Sequence, residues 1–180
     1  MRVITGISRG IKLQTLEGND VRPTTDMVKE AIFNTIQFEI TGQTFLDLFA
    51  GSGQIGIEAL SRGAKSATFV DANPDAVKVI KNNLEKTRLS NNATVFRNDY
   101  FSFLAATNEK FDIIFLDPPY RQNILEKALN TAVNCLSSNG FIICEHPVDI
   151  PLPEFVGNLK ATKTTRYGKI CITIYRKESE

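Results

Sequence analysis

The sequence predicts an α/β fold: a mostly parallel sheet of seven strands, helices on both faces, and an antiparallel hairpin at the C-terminal end. Three observations predict it. Strand-like and helix-like segments alternate from Phe45 to Cys144, the pattern of a parallel sheet with crossover helices. A glycine-rich loop, Gly51-Ser52-Gly53-Gln54-Ile55-Gly56, sits between the first strand and its helix. Finally, Leu159 to Arg166 and Lys169 to Tyr175 both alternate, with Tyr167-Gly168 and no helix between them, which reads as a hairpin.

The elements follow in order. Arg2-Val3-Ile4-Thr5 and Ile11-Lys12-Leu13 are short β-like runs around Gly6 and Gly10, a small N-terminal β extension. Gly18-Asn19-Asp20 is a loop. A helix is predicted from about Asp26 to Phe38, capped by Thr25 or Thr24. Phe45–Leu48 is a buried strand, and Gln54 to Arg62 is a helix ended by Gly63. Ala67–Val70 is the next strand. Asn73-Pro74 then opens a helix to about Arg88, with proline at the first helical position. Ala93–Phe96 is a strand, Tyr100–Ala105 a short helix and Asp112–Leu116 a strand. The helix Asn123–Leu136, ended near Asn139-Gly140, and the strand Phe141–Cys144 complete the alternation.

A chain of 180 residues fits one domain. The expected division is an N-terminal arm over residues 1–24 and a core over 25–180. Hydrophobic residues at 42% and charged residues at 23% are ordinary for a soluble globular protein. The apolar runs are too short to span a membrane, and no N-terminal segment resembles a secretion signal. Cys135, Cys144 and Cys171 lie widely spaced among apolar neighbours and read as reduced core residues. A cytoplasmic location and, by default, a monomer are expected.

Asp47-Leu48-Phe49-Ala50 leads into the glycine loop, and Asp71-Ala72 ends the next strand. By spacing alone this is a dinucleotide-binding fingerprint, with glycines for the tight turn and an acid for ribose hydroxyls. Three details point away from a dehydrogenase. Asp47 precedes the glycines, where a carboxylate repels a pyrophosphate but suits a cationic amino-acid moiety. No glycine stands directly at the strand end. Hydride transfer also has no use for the segment Asp117-Pro118-Pro119-Tyr120. The ligand that combines an ammonium, a carboxylate, a ribose and an adenine is S-adenosylmethionine. Candidate cofactor residues are Asp47, Phe49, Ala50, Gly51, Ser52 and Gly53 on the loop, Asp71 and Ala72 for the ribose, and Asn98, Asp99 and Tyr100 for the adenine. Capping of the following helix is the rival reading for Asp99.

Asp117-Pro118-Pro119-Tyr120 follows the apolar run Phe111–Leu116. A carboxylate and a backbone carbonyl at a strand's end can accept the two hydrogens of a planar amine. Proline has no N–H to donate and holds φ at about −65°. An aromatic ring next to them can stack on the base that carries the amine. The four residues are therefore candidates for chemistry on an exocyclic nucleobase nitrogen, and that chemistry requires no metal. His146, the only histidine, follows Glu145. It reads as structural before general base, and the pair is a candidate lining for the substrate side.

Net charge is +1, but its distribution is uneven. Arg2, Arg9 and Lys12 precede the first acid, Glu17, and six basic residues between Lys160 and Lys177, Arg166 and Lys169 among them, have no acid between them. Both ends are candidate phosphate-binding surfaces.

With these residues in view, the chain resembles the RsmD family of class I, Rossmann-like, S-adenosylmethionine-dependent methyltransferases of small-subunit ribosomal RNA. The resemblance rests on Arg2 to Gly6 with Arg9 to Leu13, on Arg22-Pro23-Thr24-Thr25-Asp26, and on Asp47 to Gly56. Ser61-Arg62-Gly63-Ala64, Asp117 to Tyr120 and the Tyr167-Gly168 hairpin continue it. Thr5-Gly6 departs from a glycine pair in the family. The resemblance implies methyl transfer to the N2 amine of a guanine in 16S ribosomal RNA, either as RNA or in an assembled particle. It also implies that Arg22, Pro23 and Thr24 lie near the methionine end of the cofactor. Rival readings are a DNA adenine or other nucleobase amino-methyltransferase, and a nonenzymatic RNA-binding module with a relic cofactor site.

Overall fold

The computed structural model describes residues 1–16, 24–119 and 123–178. The predicted loop Gly18-Asn19-Asp20 lies outside them. The elements run α1 (Asp26–Thr35), β1 (Thr44–Asp47), α2 (Gln54–Ser61), β2 (Ser66–Asp71), α3 (Pro74–Thr87), β3 (Ala93–Arg97), α4 (Tyr100–Ala106) and β4 (Phe111–Leu116). They continue with α5 (Ile124–Ala132), β5 (Leu136–Pro147), β6 (Phe155–Val156), β7 (Leu159–Tyr167) and β8 (Ile170–Lys177). The sheet order is β3-β2-β1-β4-β5-β8-β7-β6. β1 to β5 are parallel, whereas β8 runs antiparallel against β5 and β7.

The seven predicted strands are present, and β6 adds a two-residue eighth at the edge, against β7. Two residues are too few for a periodicity signal, so β6 escapes a sequence reading. A second difference lies at α5. The helix was expected to reach Leu136, but it ends at Ala132, a 3₁₀ turn follows, and β5 starts at Leu136. β4 pairs Phe111 with Leu136 and then Ile113 with Phe141, so residues 137–140 bulge from the ladder. Gly140 is therefore no helix stop: a Cβ there would lie 2.8 Å from the Asp112 carbonyl oxygen. β5 also runs past Cys144 through Glu145, His146 and Pro147, because β8 supplies partners as far as Ile170. α1 ends at Thr35 rather than Phe38, which is left fully exposed.

Alternation along the strands divides the core in two. Phe45, Phe69, Ile113, Phe115, Phe141 and Ile143 face α1, α2 and α3. Leu46, Leu48, Val70, Ile114, Leu116 and Ile142 face α4 and α5. This parity matters for the site, because whatever stands two residues beyond the first group projects to the same side.

The N-terminal segment is docked. Arg2 bridges Lys12 in antiparallel fashion, and Val3 N–H donates to Ile11 O at 3.0 Å. The backbone N–H groups of Ile4 and Thr5 donate to the Glu58 carboxylate of α2 at 2.8 and 3.0 Å. Ile7 N–H donates to Ser61 O at 2.9 Å. The buried Lys29 ammonium donates to Arg2 O at 2.6 Å and lies 3.7 Å from Glu58. The three cysteines are free and buried. Among the described residues no helix is long and apolar enough to cross a membrane.

Candidate active site at the carboxyl edge of the sheet

Four carboxylates stand at the carboxyl ends of four neighbouring strands. Asp47 follows Phe45 by two residues, Asp71 follows Phe69, Asp117 follows Phe115 and Glu145 follows Ile143. By strand parity all four project toward the α1–α2–α3 layer. The pairing of Phe115 with Ile143, carried two residues on, sets Asp117 opposite Glu145.

The glycine loop crosses this edge. Gly53 adopts φ +78, a left-handed conformation that leads into α2, and that is glycine's natural territory. A Cβ on Gly56 would lie 2.3 Å from the Phe69 ring, so α2 can pack on β2 only with glycine there. Asp47, 1% exposed, accepts the Gly56 N–H at 3.0 Å and so also positions the first turn of α2. Asp71 accepts the Gly51 N–H at 2.8 Å and the Asn73 N–H at 2.8 Å, joining the loop to the end of β2. Ala50 and Ser52 are buried in the loop, whereas Ala72 is exposed beyond Asp71.

Burial pushes the Asp47 carboxyl up to about 7; the Gly56 N–H draws it back and the charge of Asp71 adds to the rise. Burial also raises Asp71, against the hydrogen bonds from Asn73 and Gly51. Asp117 keeps some contact with solvent, but protein surrounds its carboxylate. Burial raises its pKa well above the ordinary carboxylate range, and the charges of Glu145 and then Asp47 raise it further. The arrangement disfavours a set of fully ionised carboxylates and favours a cation among them. Among the described residues no group of acids, histidines and cysteines is arranged to hold a metal ion.

Other predicted residues fall around this edge. Phe49 and Tyr100 bring their rings to 5.3 Å between centroids, an aromatic wall beside the loop. Asp99 is exposed and caps α4 by accepting the Ser102 N–H at 2.9 Å. Its hydrogen bonds with Ser102 hold its carboxyl below the ordinary range. Asn98 N–H donates to Asp71 O at 3.1 Å, so the two strand ends are tied. Pro118 is buried and Pro119 exposed. Arg22, Pro23 and Tyr120 lie outside the described residues.

Thr25 caps α1. Thr24 instead reaches across the edge, and its hydroxyl donates to Glu145 Oε2 at 2.9 Å. The Gln54 amide donates to Thr24 O at 3.0 Å. The sequence marks Glu145 only as a candidate lining and Gln54 only as the start of a helix. The recurrence of an acid two residues after a large apolar strand residue is the signal that finds Glu145. His146 is 3% exposed: Nδ1 lies 2.9 Å from Ile150 O, and Nε2 lies 2.9 Å from the Thr173 hydroxyl. Carbonyls only accept, so Nδ1 carries hydrogen and the ring fastens the segment after β5 to β8. It is structural.

The basic candidates lie on the surface. Arg2, Arg9 and Lys12 are exposed on the N-terminal segment, with Arg2 3.9 Å from Asp26 at the start of α1. Arg166 and Lys169 are exposed at the β7–β8 turn, where Arg166 donates to Gly168 O at 2.9 Å. Of the other basic residues there, Arg176 pairs with Glu39 and Lys160 with Glu178.

The family model described as "Conserved hypothetical protein 95" matches residues 1–176. The chain is 45% identical to YlbH of Bacillus subtilis (strain 168) over 183 residues, 98% of this chain and 99% of that protein. It is 34% identical to "Ribosomal RNA small subunit methyltransferase D" of Escherichia coli (strain K12) over 182 residues, 100% of this chain and 91% of that protein. The solved structure of yhhF from Escherichia coli superposes with a TM-score of 0.90 at 32% identity, covering 100% of this chain and 99% of that one. Matching the family model over nearly its whole length, and aligned end to end with methyltransferase D, the chain belongs to the RsmD family.

Proposed function

We propose that the chain transfers a methyl group from S-adenosylmethionine to the exocyclic N2 amine of a guanine in small-subunit (16S) ribosomal RNA. The observation that carries this reading is the placement of Asp117 beside Asp47 and Glu145, at the strand edge that holds the glycine loop. Membership of a family that includes a small-subunit ribosomal RNA methyltransferase supports the substrate.

The residues present fit the cofactor. Carboxylates crowded at one edge suit a ligand with a sulfonium and an ammonium, and Gln54 Oε1 is a buried acceptor with no donor. Asp47, Phe49, Ala50, Gly51, Ser52 and Gly53 would hold its amino-acid and ribose portions. Asp71 and Ala72 would hold the ribose, with Asn98, Asp99 and Tyr100 at the adenine and Arg22 and Thr24 at the methionine end. Each Asp71 oxygen has a second lone pair for a ribose hydroxyl. When bound, S-adenosylmethionine supplies an electrophilic methyl on a positively charged sulfur.

The chain's own residues then set up the nucleophile. A guanine N2 is weakly nucleophilic because its lone pair is delocalised into the ring. The Asp117 carboxylate and the Pro118 carbonyl accept its two N–H bonds and orient the nitrogen. Positive charge develops on that nitrogen as the bond forms, so an ionised Asp117 stabilises the transition state more than the ground state. Asp117 can also receive the proton released. Pro119 stiffens the turn, and Tyr120 stacks on the extruded base, a contact worth about 1–3 kcal/mol. Arg2, Arg9, Lys12, Arg166 and Lys169 meet RNA phosphates. Residues 1–180 act as one methyltransferase domain, with 1–24 as an arm on the 25–180 core. We place the protein in the cytoplasm as a monomer that acts on ribosomal RNA or on an assembled particle.

Radiolabelled methyl transfer to small-subunit RNA, assembled small subunits and duplex DNA tests the reading, with nucleoside analysis of the product. N2-methylguanosine in either ribosomal substrate is the expected result. Label in DNA alone, or on adenine, overturns it.

A further inference from the structure

Gln54 is the first residue of α2, 5% exposed, and its two amide atoms are treated unequally. Nε2 donates to Thr24 O at 3.0 Å. Oε1 is buried and has no hydrogen-bond partner. A buried acceptor without a donor is costly, and most such atoms in folded proteins are satisfied. The exception asks for an explanation, and its location suggests one.

Two independent chains of contact place this amide at the acidic edge. On one side, Thr24, which accepts from Gln54, donates its hydroxyl to Glu145, and Glu145 stands opposite Asp117. On the other side, Asp47 accepts the N–H of Gly56, two residues after Gln54 in the same first helical turn. Gln54 is therefore tied through Thr24 to Glu145, at one end of the carboxylate row, and shares a helical turn with the residue that binds Asp47. A donor reaching Oε1 comes from a region where negative charge is concentrated. A neutral amine or a water molecule satisfies the acceptor but leaves the charge unanswered. A primary ammonium answers both, because it has three N–H groups and one positive charge.

We infer that Gln54 is a ligand-binding residue whose Oε1 accepts a hydrogen bond from a primary ammonium, that of the amino-acid end of the cofactor, while its Nε2 holds Thr24 against Glu145. This assignment rests on the methyltransferase reading and deepens it. It makes the glutamine a determinant of which end of the ligand lies under α1. It also ties Thr24 to that end, because the residue that accepts from the ligand donates to the Thr24 carbonyl.

The test is a cycle of two ligands and two proteins, read by calorimetric binding. The ligands are S-adenosylhomocysteine and its analogue with the amine replaced by hydrogen; the proteins are the wild type and Gln54→Leu. The wild type is expected to prefer the ammonium-bearing ligand. Gln54→Leu is expected to shrink that preference by about tenfold or more, as befits a hydrogen bond to a charged group. Its affinity for the deaminated analogue should stay close to wild type, which also shows that the variant is folded. A second readout needs no variant: the side-chain amide resonances of Gln54 in the wild type should move with S-adenosylhomocysteine and stay in place with the analogue. A preference unchanged in Gln54→Leu, equal weakening of both ligands, or identical resonance shifts with both ligands overturns the assignment. A wild type that binds neither ligand overturns the cofactor reading itself, and the assignment with it.

Discussion

The two ends of β4 carry aspartates five residues apart, and the protein treats them in opposite ways. Asp112, at the amino edge, accepts the Thr44 N–H and hydroxyl at 2.9 Å each and the Ser137 hydroxyl at 2.7 Å. Burial pushes its carboxyl up, but these bonds outweigh it and hold the group below the ordinary range. Asp117, at the carboxyl edge, meets two other carboxylates, and its pKa rises. One strand thus shows an aspartate that serves the fold and another that, on the proposed function, is kept for a ligand. The first is surrounded by donors; the second is destabilised until something positive arrives.

Breaking the carboxyl end should have the larger functional effect. Asp117→Ala is expected to lower methyl transfer by about 10²- to 10³-fold, the usual loss for one preorganised electrostatic contact. S-adenosylhomocysteine affinity should remain near wild type in the same preparation. Near-normal turnover would remove the aspartate from the chemistry.

Acid titration of stability sharpens the comparison next. Asp47 has its carboxyl raised to about 7 from 3.8. A raised folded-state pKa favours the protonated native form, so its contribution is fully present below about pH 4 and lost as pH climbs through about 7. Asp47→Asn keeps an acceptor for Gly56, and denaturant melts of this variant should lose less stability than wild type between those values. A steeper loss in the variant would contradict the assignment.

Glu145→Gln should have an intermediate effect. It retains an acceptor for Thr24 but removes one of the charges that raises Asp117. The acidic limb of the rate–pH profile should move to lower pH, and an unmoved limb would show that Glu145 does not tune Asp117. Asp112→Ala, at the other end of the strand, should cost about 1–3 kcal/mol of stability through its stranded donors. Its ligand affinity and turnover per folded molecule should match wild type, and a selective loss of turnover would erase the distinction between the two ends.

Much of this arrangement was legible in the sequence. Phe45-Leu46-Asp47, Phe69-Val70-Asp71 and Phe115-Leu116-Asp117 each show a strand ending in an acid, and the glycines locate the first crossover. Local spacing carries that information. Long-range register does not appear in it. The opposition of Asp117 and Glu145 depends on the 137–140 bulge, which also turned the end of an expected helix into the start of β5. Thr24 and Thr25 are both good caps by composition, and only the fold separates the one that caps α1 from the one that grips β5. Arg176 and Lys160 belong to the basic C-terminal stretch, yet Glu39, distant in sequence, pairs with the first and Glu178 with the second.

α2 is eight residues long and has a different tenant at each end. Its first turn closes the glycine loop, while Glu58 and Ser61 grip the backbone of the N-terminal segment. The exposed guanidinium groups of Arg2 and Arg9 therefore stand on a segment anchored to the same helix that closes the glycine loop. One helix thus fixes the distance between the loop and that basic surface.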